Sequence, residues 1–161
     1  MFYTYQAPDP DVLAYLQNNI AASNACESNY EIPVPLGLEY LPYQKAGIEF
    51  GIRNAGVLIA DEPGLGKTIQ AIGIINKDTN MKKILIVCPA TLKINWLREL
   101  RKWLTRFYSI SIADSALAFC SDIVIINYEQ VSKYQQMINT KKWDMLIEEE
   151  CYIMRNRHTF G

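Results

Sequence analysis

Val57-Leu-Ile-Ala-Asp-Glu-Pro-Gly-Leu-Gly-Lys-Thr-Ile-Gln-Ala-Ile72 decides the fold of this chain. Residues 57–60 form a short apolar run that reads as a buried strand. The turn that follows carries Gly64 and Gly66, and Lys67 to Asn76 places Ile69, Ile72 and Ile75 at helical spacing. A strand, a glycine-rich turn and a helix in succession are the context of a phosphate-binding loop. Glycines let the backbone amides point inward, and the helix N-terminus adds positive potential. In such a loop Lys67 reaches the β- and γ-phosphates and the Thr68 hydroxyl holds Mg²⁺. The pattern GxxxxGK[ST] is broken at one place, where Asp61 stands for the first glycine.

The same alternation continues outward. Pro42 to Asn54 reads as a helix, with proline suited to its first turn. ILIVC (84–88), IVII (123–126) and MLI (145–147) read as further buried strands, with helices expected over 93–107 and 129–137. Continuous apolar strands alternating with helices imply an α/β fold, a mostly parallel sheet with helices on both faces. Ligands of such sheets sit at the carboxyl ends of the strands. There the chain places the glycine turn and, after residues 145–147, Glu148, Glu149 and Glu150. A carboxylate at a neighbouring strand end can hold Mg²⁺ and the next can activate water, roles that fall to Glu149 and Glu150. Residues 1–35, broken by Pro33 and Pro35 and holding one short helix over 11–18, read as an N-terminal appendage. Residues 36–161 read as the domain proper.

Composition narrows the classes. The 161 residues are 50% apolar with a net charge of −1, which fits one globular domain and excludes a polybasic protein that binds nucleic acid through overall charge. The four cysteines are dispersed and His158 is the one histidine, so neither a zinc site nor a disulfide framework is expected. No apolar stretch is long enough for a membrane span, and an intracellular place, cytoplasmic or nuclear, is expected. The charge is uneven: residues 1–62 carry −6 and residues 82–106 carry +6. That basic segment is a candidate anion-binding face, while Trp96 and Trp103 fall on the apolar side of its helix.

Five stretches, in order, resemble the motifs of superfamily-two helicases, and more narrowly the Swi/Snf-type translocases of duplex DNA. LPYQ (41–44) resembles the Q motif and ADEPGLGKTIQAI (60–72) motif I, where the subgroup often carries aspartate at the position of Asp61. ILIVCPATLKINWLREL (84–100) resembles motif Ia, INYEQV (126–131) motif Ib, and WDMLIEEECYIMRN (143–156) the stretch around motif II. The resemblance implies the first RecA-like lobe of a P-loop NTPase, incomplete after motif II, acting on duplex DNA with ATP and Mg²⁺. It implies adenine recognition by Gln44 and phosphate binding by Gly64, Leu65, Gly66, Lys67, Thr68 and Ile69. It further implies metal binding by Thr68 and Glu149, catalysis by Glu150 with Lys67, and DNA-backbone contact by Thr91, Lys93 and Asn95. Arg101, Lys102 and Arg106 are expected to be a solvated face. Two departures stand out: Glu149 replaces the motif II aspartate and Tyr152 its histidine. With motif III and a second lobe outside the chain, weak hydrolysis is expected unless that lobe acts in cis or in trans. The competing reading is an inert nucleotide- or DNA-binding module with a degenerate motif II.

Overall fold

The computed structural model describes residues 26–54, 56–59 and 64–149, together with Ala14 and Asn18. Those two positions are helical and exposed, within the helix expected over 11–18, whose other residues lie outside the described ones. Four parallel strands form one sheet in the order β2-β3-β1-β4, with β1 at Ile84–Cys88, β2 at Ile110–Ile112, β3 at Ile123–Asn127 and β4 at Met145–Glu148. Ile84 pairs with Ile123 on one side and with Met145 on the other, so the three longer strands start in register. Parallel neighbours need crossovers, and helices supply them. The helices are α1 at Pro42–Arg53, α2 at Lys67–Lys77, α3 at Lys93–Trp103, α4 at Tyr128–Val131 and α5 at Gln135–Asn139.

Every residue of β1 and β3 is buried, which is why these strands read as unbroken apolar runs. Ile84, Ile86, Ile123 and Ile125 face one core, shared with Ile48, Ile72, Ile75, Trp96 and Leu100 of α1, α2 and α3. Leu85, Val87, Val124 and Ile126 face a second core with Phe119, Tyr128 and Tyr134. α1 and α2 approach closely because Gly73 leaves room: a Cβ there would lie 2.3 Å from Ile48 Cδ1. Residues 28–33, on the appendage side of the expected boundary, pack onto these helices. Ile32 joins the first core, Ser28 Oγ donates to Glu49 at 2.5 Å, and Lys77 Nζ donates to the Glu31 carbonyl at 2.8 Å.

Four expectations are corrected. Val57–Ile59 forms no strand; it lines a cleft that separates it from the open edge of β4, so it has no ladder to join. The helix expected over 93–107 ends at Trp103, because buried Asn76 captures its end. Asn76 Nδ2 donates to the Trp103 carbonyl at 2.7 Å and its Oδ1 accepts from the Thr105 N–H at 3.0 Å. The helix expected over 129–137 is two short ones separated by a turn, where Tyr134 buries its ring against Phe119 and donates its hydroxyl to the Asp114 carbonyl at 2.9 Å. Arg106 is not a solvated charge. Its guanidinium donates to the carbonyls of Ile75, Asp78 and Thr79, covering the last turn of α2. The sequence reading also passed over β2, a three-residue edge strand.

Candidate nucleotide site

The phosphate loop, α2 and the end of β4 meet at the carboxyl edge of the sheet. Lys67, Thr68 and Glu149 line a cleft of about 550 Å³ that runs along the open edge of β4, from Asp144 to Glu149. The chain thus brings together the two stretches that the strand-end argument paired across 82 residues of sequence. Gly66 caps α2 in the left-handed conformation at φ +79°, and Gly64 has φ +89°. A Cβ on Gly66 would also stand 2.6 Å from Gln44 Nε2. Gly66 is therefore required both by the turn and by the close approach of α1.

Gln44 is buried, and both ends of its amide are used. Oε1 accepts from the Leu41 N–H at 3.0 Å, closing the first turn of α1, and Nε2 donates to the Leu65 carbonyl at 3.3 Å. Gln44 thereby ties the start of α1 to the phosphate loop. An amide group carries two hydrogens and its oxygen two lone pairs, so each end retains capacity for a second partner. Leu65 and Gly64 are exposed, while Lys67, Thr68 and Ile69 are half-buried at the start of α2.

Glu149 is held by three elements. Its N–H donates to the Val87 carbonyl of β1 at 2.9 Å. Its carbonyl accepts from the Tyr128 hydroxyl of α4 at 2.7 Å. Its carboxylate accepts from the indole N–H of Trp96, in the second turn of α3. Cys88, at the end of β1, is fully buried and its thiol is pushed up to about 12, first by burial and then by the Glu149 charge. It is a packing residue, as its sequence context implied.

Thr91 lies in the short 3₁₀ turn Ala90–Leu92 and Asn95 in the first turn of α3; both are exposed. Lys93 is half-buried instead, its Nζ donating to Asn127 Oδ1 at 2.9 Å, while Asn127 Nδ2 donates to Glu129 at 2.6 Å. Trp96 and Trp103 are core residues, as their helical spacing implied. Glu150, Asp61 and Tyr152 lie outside the described residues. No local pattern marks Trp96 and Tyr128 as partners of Glu149 or Asn127 as the partner of Lys93, since each contact spans more than twenty residues and uses a side chain legible only as core or strand end.

A family profile described as "SNF2-related domain" matches residues 12–160. This chain belongs to the SNF2-related family. It is 31% identical over 137 residues to the DNA annealing helicase and endonuclease ZRANB3 of Bos taurus, covering 78% of this chain and 13% of that protein. It is 33% identical over 141 residues to the human DNA repair and recombination protein RAD54B, covering 71% and 16%. The Sulfolobus solfataricus SWI2/SNF2 ATPase core, solved in complex with dsDNA, superposes with a TM-score of 0.67 at 23% identity, over 84% of this chain and 30% of that one. The four-stranded parallel sheet with its helices therefore has the α/β fold of the RecA-like lobe in that core. The chain spans only about an eighth to a sixth of these two relatives. Among the described residues, no helix is long and apolar enough to cross a membrane.

Proposed function

We propose that this chain is the ATP-binding lobe of a DNA-dependent ATPase of the SNF2 family, with residues 36–161 as the lobe and residues 1–35 leading into it. The observation that carries the reading is the convergence of Lys67, Thr68 and Glu149 on one cleft. The backbone amides of Gly64, Leu65 and Gly66 and those opening α2, through Ile69, bind the phosphates, and the Lys67 ammonium neutralises their charge. Gln44 holds the loop to α1 and reads adenine with its remaining amide capacity.

The residues present fit Mg²⁺. Thr68 and Glu149 offer the hard oxygens it prefers, and one or two side-chain oxygens beside substrate phosphates are its usual protein complement. When bound, Mg²⁺ neutralises charge on the β- and γ-phosphates. Glu150 follows Glu149 directly and is assigned the orientation of the attacking water. Thr91 and Asn95 present hydrogen-bond donors to a nucleic-acid phosphate at the start of α3, and Lys93, held by Asn127, adds positive charge. Duplex DNA is the proposed polymer, and a second helicase lobe the proposed partner for turnover. The setting is intracellular.

Calorimetry of Mg·ATP binding tests the reading. Lys67→Ala is expected to abolish the binding heat while circular dichroism stays native; equal affinity in the variant and the unsubstituted chain would contradict it.

A further inference from the structure

We infer that Trp96 is a positioning residue that sets the direction of the Glu149 carboxylate toward the metal-nucleotide site. The inference rests on the reading of the cleft as that site, and it adds a role for a residue that sequence spacing assigns only to the core.

Trp96 is almost fully buried, at 1% exposure, so its indole N–H is a donor that must find its acceptor inside the protein. The acceptor is Oε2 of Glu149, 53 residues further along the chain and on a different element. The backbone of Glu149 is already fixed on both sides, by the Val87 carbonyl of β1 and the Tyr128 hydroxyl of α4. The indole N–H then fixes one oxygen of its side chain. Trp96 itself cannot follow a moving carboxylate, because its ring is packed in the core beneath the sheet with Ile86, Cys88 and Leu100.

Side-chain length completes the argument. An aspartate at 149 would end one methylene, about 1.5 Å, short of where the glutamate carboxylate ends. The carboxylate that meets the indole is the one a glutamate provides, so Glu149 and Trp96 form a matched pair. A carboxylate that ligates a metal is itself held by hydrogen bonds from surrounding groups, and loss of such a group weakens metal binding. The indole N–H is a neutral donor, so it adds no charge of its own beside Glu149, and it takes one of about four lone-pair positions on the two carboxylate oxygens. Both features suit orientation better than sequestration.

The test uses the 161-residue chain, with Mn²⁺ and ATP as probes. Trp96→Phe keeps an aromatic ring and removes the N–H. It is expected to weaken Mn²⁺ binding to the ATP complex by about tenfold, while the affinity for ATP without metal stays unchanged. In a Glu149→Asp background, where the carboxylate no longer meets the indole, Trp96→Phe is expected to add no further loss. A tighter Mn²⁺ affinity in Trp96→Phe would show that the indole withholds the carboxylate from the metal and would overturn the proposal. An unchanged affinity, or an equal loss in both backgrounds, would overturn it too.

A second readout needs no substitution in the core. Indole proton resonances report hydrogen bonding directly, and the chain has three tryptophans. The Trp96 signal is expected downfield and to stay there when Mg·ATP saturates the protein. Its return to the position of a solvent-exposed indole would overturn the proposal. Failure of the unsubstituted chain to bind ATP at all would remove the reading of the cleft and the inference with it, a result separable from the others because the metal-free indole signal is unaffected by it.

Discussion

At the residue scale, Gly66 and Gln44 show how a few atoms hold the phosphate loop against α1. Gly66→Ala must place a side chain at φ +79° and displace a buried amide that already bonds Leu65. The left-handed conformation costs an L-residue about 1–2 kcal/mol. Urea denaturation is expected to show a loss of at least that size for Gly66→Ala, since displacing the Gln44 amide adds to the backbone cost. Asp122 is the described carboxylate whose titration the fold perturbs most clearly. Its carboxylate accepts from Lys83 Nζ at 2.8 Å and from the Ser109 N–H and hydroxyl at 2.9 and 2.6 Å. The Lys83 hydrogen bond first, and then those from Ser109, pull its pKa down to about 2. The unfolded chain takes up that proton near the ordinary value of 3.8, before the folded one does. The stability Asp122 contributes is thus complete above about pH 4 and is lost as pH falls toward 2. Asp122→Asn is expected to flatten that acid limb in urea midpoints measured across the range; an unchanged slope would contradict the assignment.

At the element scale, ends matter more than middles. Helix α3 stops at Trp103 because Asn76, on α2, takes its last carbonyl and the N–H of Thr105. Asn76→Ala removes the partner of the buried Trp103 carbonyl and of the Thr105 N–H. It is expected to cost at least about 2 kcal/mol, with the urea m-value unchanged. This is where the sequence was least informative. Local pattern carried α3 on to residue 107, because Leu104 and Phe107 continue the apolar spacing, and nothing near them announces a cap from 27 residues away. The turn at Ser132–Tyr134 was hidden for the same reason, as Tyr134 turns inward to Phe119 and Asp114. By contrast, β1, β3 and β4 were legible almost to the residue. β1 and β3 are buried throughout, and burial leaves a compositional trace in a parallel sheet; β4 has the same apolar run but is an edge strand rather than the buried one expected, with Leu146 exposed. Val57–Ile59 has that trace as well, yet a ladder also needs a neighbour, which the pattern does not record.

At the scale of the whole molecule, the sheet order β2-β3-β1-β4 carries the ends of β1, β3 and β4 to one edge, where Pro89 and α3, Asn127 and Tyr128, and Glu149 follow them. The juxtaposition of Lys67 with Glu149 was readable from the rule that ligands gather at strand carboxyl ends, because both motifs directly follow apolar runs. The network around them was not, since Trp96 and Tyr128 look like any other core aromatic until the fold brings them to Glu149. The proposed function requires that these two distant stretches act as one Mg·ATP site. Hydrogen–deuterium exchange with and without Mg·ATP tests that assertion most directly. Protection is expected together in residues 64–70 and 145–149, absent in Lys67→Ala, with the β2 edge unchanged. Protection confined to one of the two stretches, or appearing equally in Lys67→Ala, would contradict it.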